Sequence, residues 1–194
     1  MRKLRMMKFV LAAALPGGAL LSLSCRKAPA ESPPGASPDA PESIHLQSST
    51  FQDGATLPVE YSCSGAGKSP PLAWSGVPQT AKTLALLVTD PDAPGGVWTH
   101  WMVWNLPPAT TSLPAAVPSQ ATLSSGARQG KNSRGSIGYD APCPPPGRPH
   151  RYVFTLYALD AKMDLSGVAV DEYSAALRGH VLARGRIMGR FGRQ

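Results

Sequence analysis

From Ser43 onward the apolar runs of this chain are short, and turn residues, Pro and Gly above all, close them one after another. Pro removes a backbone donor and Gly favours tight reversals, so long helices are excluded over most of this span. What remains are runs with strand character. Ile44-His45-Leu46 alternates toward Phe51, Leu57-Pro58-Val59-Glu60-Tyr61 alternates again, and Leu72-Ala73-Trp74 lies between Pro71 and Gly76. Thr83 to Thr89 (TLALLVT) is continuously apolar, the pattern of a strand covered on both faces. Val97 to Leu106 (VWTHWMVWNL) and Tyr152 to Leu159 (YVFTLYAL) are rich in aromatic and β-branched residues. The expectation is a mainly β domain, an antiparallel sandwich or barrel-like fold. One short helix is expected near the C-terminus: Asp171 as its cap, Tyr173, Ala176 and Leu177 on one face, Gly179 as its stop. A strand follows, in which Arg184, Arg186 and Arg190 share one face. That basic stripe suits either a solvated edge strand or a lipid or phosphate surface.

The first 42 residues have a different character. Residues 1–25 combine a basic start (MRKLRMMK), an apolar stretch from Phe9 to Leu21 broken by Pro16-Gly17-Gly18, and small residues before Cys25. These are the parts of a secretory signal, and the apolar run is too short to span a bilayer. Its end at Cys25 resembles a bacterial lipoprotein signal, which implies lipidation of Cys25 and an exported, membrane-anchored protein; cleavage as an ordinary secretory signal is the alternative. Residues 26–42 (RKAPAESPPGASPDAPE) lack apolar periodicity and read as an extended tether, leaving 43–194 as one domain. The net charge of +7 falls without the leader, which holds four basic residues and no acidic one. Fifteen basic residues then face twelve acidic ones, a balance that calls for no nucleic acid partner. Cys63 and Cys143 remain, either as a disulfide in an oxidising compartment or as two buried thiols.

Chemistry concentrates in two segments. In TDPDAPGGVWTHW, Asp90 and Asp92 follow the buried strand, with Pro91 and Pro94 stiffening the chain around them, and His100 returns on the next strand. Two carboxylates and a histidine serve metal binding, acid/base catalysis, or the orientation of a histidine that grips an anion. A turn followed by a core histidine is the bland alternative. In GYDAPCPPPGRPHRYVFTLYALD, a proline-rich wall precedes His150-Arg151-Tyr152. Strand alternation puts His150 and Tyr152 on one face and Arg151 on the other, where it would pair with an aspartate behind the site.

The ordered series SPPLAWSGVP, DPDAPGG, WTHWMVWNLP, CPPPG with HRYVFTLYALD, and GHVLARGRIMG resembles the phosphatidylethanolamine-binding protein family, also called Raf kinase inhibitor-like proteins, over about residues 44–192. The resemblance implies a β-sandwich with a C-terminal helix followed by a strand. It also implies an anion pocket of Asp90, Asp92, His100, His150 and Tyr152, rimmed by backbone around Cys143 and Pro144. One position departs. Asp140-Ala141 replaces a glycine pair usual in relatives, and the added negative charge would weaken anion binding.

Carboxylates repel phosphate by about 4 kcal/mol at ~4 Å and an effective dielectric of 20, so the aspartates must act otherwise. They either hold His100 or His150 and raise its pKa, or accept the ammonium of a zwitterionic head group. The expected function is therefore non-enzymatic binding of a small anionic or phosphoethanolamine-like ligand, with modulation of a protein partner as an extension. The alternative is a metal-assisted or acid/base hydrolase using Asp90, Asp92 and His100. The cysteine spacing fits no zinc motif, and no phosphate-cradling loop or nucleophile elbow occurs, so no cofactor or metal is expected.

Overall fold

The structure, a computed structural model, describes residues 40–165 and 170–193. The leader, Cys25 and the tether up to residue 39 lie outside the described residues. Two antiparallel sheets form. One contains β1 (His45–Gln47), β2 (Leu72–Ser75) and β5 (Ser112–Leu113). The other runs β6-β4-β3-β7-β8, from β3 (Thr83–Asp90), β4 (Trp98–Leu106), β6 (Arg128–Gln129), β7 (His150–Leu159) and β8 (Val181–Phe191). Leu46, Leu72, Trp74 and Leu113 of the small sheet bury against Leu84, Leu86, Trp101, Phe154 and Ile187 of the large one. This is the β-sandwich expected.

All eight residues of β3 are buried, because the opposite face of the large sheet is covered as well. There α1 (Val170–Leu177) lays Tyr173 and Leu177 over Ala85, Leu87, Met102, Trp104 and Tyr157. The buried Tyr173 hydroxyl donates to the carbonyls of Leu86 (2.9 Å) and Val103 (3.1 Å), which ties the helix to two strands. Asp171 lies inside the first turn of α1 instead of capping it. Its charge still favours the positive end of the helix. Gly179, at φ 80°, follows in the left-handed conformation that ends a helix.

Two local expectations are corrected. Leu57 to Tyr61 is not a strand: Val59–Tyr61 is a single 3-10 turn after Pro58. The Pro58 carbonyl accepts the Tyr61 N–H, so Leu57 and Tyr61 bury while Val59 is exposed. Alternation was misleading because two buried residues four apart satisfy a turn as well as a strand. The last strand, β8, is an edge in sheet order, yet its outer edge is not solvated. Backbone of residues 41–57 covers it, through Ile44 N–H to Arg184 O, Arg184 N–H to Pro41 O, Leu57 N–H to Arg190 O and Arg190 N–H to Ala55 O. Coverage, not charge, protects this edge.

That covering explains two glycines. A Cβ on Gly185 would collide with the Ile44 carbonyl, and one on Gly189 with the Leu57 side chain. Because the first obstacle is backbone, Gly185→Ala is expected to destabilise by about 1–3 kcal/mol in denaturant melts, the usual range for overpacking. An unchanged midpoint would show that the covering segment yields freely.

Candidate functional site

The C-terminal end of β3 and the N-terminal ends of β4 and β7 meet at one end of the large sheet, and the sandwich-facing residues there form a buried polar cluster, the candidate pocket. Asp90 closes β3, buried, and its carboxylate takes a hydrogen bond from the Asp92 N–H (2.8 Å), an Asx-type turn that Pro91 stiffens. Its other oxygen lies 2.7 Å from Nδ1 of His150, the first residue of β7. Tyr152 follows two residues on, on the same face as alternation requires, and is fully buried. Its hydroxyl has no hydrogen-bond partner among the described residues. An orphaned buried hydroxyl costs about 1–3 kcal/mol. Burial, then the charge of Asp90, raises its pKa well above the ordinary phenol value, so it remains an O–H donor.

His100 reaches the pocket through a bulge. Val88 pairs with Trp101 and Thr89 with Thr99, which leaves His100 as the extra residue in β4. Strict alternation from the core residue Trp101 would send His100 to the opposite face. The bulge instead brings its ring edge-on to Tyr152, 5.1 Å between centroids. Nδ1 of His100 lies 2.7 Å from the Asp140 carbonyl, which assigns the proton to Nδ1 in the neutral ring. Burial lowers its pKa from the ordinary 6.5 despite the nearby carboxylates, so His100 is neutral at pH 7. The charges of Asp140 and Asp90 do push it up, as expected of a nearby aspartate, but burial outweighs them. The aspartate that holds a histidine is Asp90, and the histidine is His150.

Asp140 also differs from expectation. Its carboxylate is 9% exposed and receives Arg134 Nε (2.8 Å) on one oxygen and Trp98 Nε1 (3.1 Å) on the other. The added negative charge is thus met by a guanidinium. Sequence reasoning missed Arg134 and Trp98. Arg134 sits in a polar turn whose chain path decides its reach, so no local pattern marks it.

The backbone around Cys143 and Pro144, expected as the rim, is held by bonds of its own. Cys63 and Cys143 form a disulfide, and the Cys63 N–H donates to the Pro142 carbonyl (3.0 Å). The Pro144 carbonyl accepts Arg193 Nε at 2.6 Å. Asp92 is not brought to the pocket's ligand face. Its two oxygens take Arg151 Nε (2.8 Å), Nη2 (2.7 Å) and the Arg151 backbone N–H (2.9 Å). Those bonds, with burial opposing, hold its carboxyl down at about 2. Arg151 thus pairs behind the site, as strand alternation implied. A hydrolase of Asp90, Asp92 and His100 would need all three around one reacting centre; here both Asp92 oxygens are bonded to Arg151. Among the described residues, no group of three or more His, Cys, Asp or Glu is placed to hold a metal ion.

The class so defined is a two-sheet β-sandwich with histidines, a tyrosine and a carboxylate clustered at one sheet end. The chain belongs to the phosphatidylethanolamine-binding protein family, whose model matches residues 47–192. It is 46% identical over 151 residues to a UPF0098 protein of Methanothermobacter thermautotrophicus, covering 77% of this chain and 99% of that one. Among solved structures it is similar to a phosphatidylethanolamine-binding protein homolog, CT736 of Chlamydia trachomatis. There the TM-score is 0.72 at 40% identity, covering 79% of this chain and 99% of that one. It is also similar to E. coli YbcL, described as a member of the mammalian PEBP family, with TM-score 0.74 at 33% identity and 78% and 99% coverage.

Proposed function

We propose that this protein binds small ligands bearing a phosphate-like anion, phosphoethanolamine-type head groups among them, in the pocket of Asp90, His100, His150 and Tyr152. The observation that carries this is the Tyr152 hydroxyl, a buried donor without an acceptor among the described residues and beside the His100 imidazole. A ligand oxygen would satisfy it. His100 and His150 each use Nδ1 within the protein, which leaves Nε2 of both for a ligand. Asp90 is the carboxylate suited to an ammonium group, and the rim of Cys143 and Pro144 bounds the entrance. Arg134 offsets the charge of Asp140 and so keeps the pocket open to anions.

Tyr152→Phe is expected to weaken phosphoethanolamine binding about tenfold or more by calorimetry, the worth of one hydrogen bond to a charged group. Asp90→Asn should weaken phosphoethanolamine more than inorganic phosphate, since both lose the carboxylate that holds His150 but only the former brings an ammonium. Affinities unchanged in both variants would refute the pocket. We also propose export and anchoring through Cys25, supported by the basic start and apolar stretch before it. Cys25→Ser should then move the protein from the membrane fraction to the soluble one. Any protein partner that it modulates would lie outside the cytoplasm.

A further inference from the structure

The arginines of β8 play no part in the inner pocket. Arg190 stands directly across from Arg151 of β7, and both point to the outer face of the large sheet, away from the sandwich core. Arg148, with its side chain 83% exposed, joins them from the turn before β7. Together with Pro149 and Asp92 these three arginines line a cleft of about 340 Å³. It lies on the opposite face of β7 from Tyr152.

Like charges facing each other across antiparallel strands repel unless something compensates them. Asp92 compensates one. Its carboxylate is bonded to Arg151, and Arg148 Nη2 approaches the same group only to 3.8 Å. Arg190 makes no ion pair among the described residues. Three guanidinium groups therefore share one carboxylate, leaving two uncompensated positive charges around a concave space. Guanidinium forks match the oxygens of a phosphate, and Arg151 is already held in place by Asp92.

We propose that this cleft is a second anion site, separate from the inner pocket, that takes a phosphate dianion from outside the sandwich. The phosphate is either the free ion or the monoester head group of a lipid. Arg151 supplies the rigid edge, and the exposed Arg148 and Arg190 side chains turn in to close on the ligand. The site does not depend on what the inner pocket binds.

The test uses inorganic phosphate on a Tyr152→Phe background, which weakens the inner pocket, and follows the arginine Nε–H signals by NMR. Saturable shifts of Arg148, Arg151 and Arg190 are expected, and Arg148→Gln with Arg190→Gln should weaken phosphate at least tenfold. Because Arg148 and Arg190 are exposed, the melting curve should stay unchanged; Arg190→Lys, which keeps charge but loses the fork, provides a milder variant expected to weaken binding as well. Co-sedimentation with phosphatidylcholine vesicles containing phosphatidic acid, but not with phosphatidylcholine alone, would identify a lipid source. Phosphate binding without co-sedimentation would identify the free ion or a soluble monoester. An absence of saturable shifts, or an affinity for phosphate unaffected by the double glutamine variant, overturns the proposal.

Discussion

Replacing Cys63 and Cys143 by serine is expected to lower the unfolding free energy by about 4–5 kcal/mol. The bond closes a loop with a sequence separation of 80 residues. The chain-entropy cost of leaving such a loop open in the unfolded state has about that size. It is a large share of the 5–15 kcal/mol typical of a whole domain. The loss should appear as a lower denaturant midpoint, and the same loss should follow when a reductant is added to the unaltered chain. The bond also ties the Cys143-Pro144 segment, the rim of the proposed pocket, to the turn after Tyr61. Ligand affinity should therefore fall beyond what the remaining folded fraction explains. A midpoint within the error of the unaltered protein would show that residual unfolded-state structure already closes the loop.

Arg151→Met is the second large effect. It leaves the Asp92 carboxylate, 10% exposed, with the backbone N–H of residue 151 at 2.9 Å and Arg148 at 3.8 Å as its partners. Breaking a buried ion pair costs 3–5 kcal/mol, and the partial exposure of Arg151 reduces this to about 2–3 kcal/mol. The pH dependence follows from the same contact. The folded-state pKa of Asp92, about 2, lies below its unfolded value of 3.8. Its stabilisation is therefore complete above 3.8 and is lost as pH falls from there through about 2. After discounting for solvent screening, the pair contributes on the order of 1–2 kcal/mol over that window. Chemical denaturation as a function of pH should show this loss in the unaltered protein and a flatter acid limb in Arg151→Met. His100 adds an earlier loss. Burial depresses its pKa, so the unfolded chain takes up the proton first and stability begins to fall as pH drops below 6.5. Identical acid limbs in the two proteins would sever the link between Asp92 and stability.

The two-sheet domain, the long central strands and the C-terminal helix were legible because their signals are local. Leu84 to Val88, the centre of a strand covered on both faces, is apolar at every position. Tyr173 and Leu177 are one helical turn apart, and β7 alternates cleanly enough to separate Arg151 from His150 and Tyr152. Leu57 to Tyr61 failed because its spacing is compatible with two backbone forms, and Pro58 favours the turn.

Residue order alone marks the side chains that could carry chemistry: carboxylates at a stiffened strand end, a histidine on the returning strand, and a histidine-tyrosine pair on one face. Tertiary structure decided their partners. His100 faces Tyr152 only because β4 bulges against β3, and a bulge is a property of two paired strands, not of either alone. Asp140 is offset by Arg134 and Trp98, the latter 42 residues away in the chain. Arg190 meets Arg151 only through the register of β8 on β7. Periodicity assigns a side chain to a face, while register, bulges and loop paths assign it a neighbour, and it is the neighbour that sets charge, protonation and what the pocket can hold.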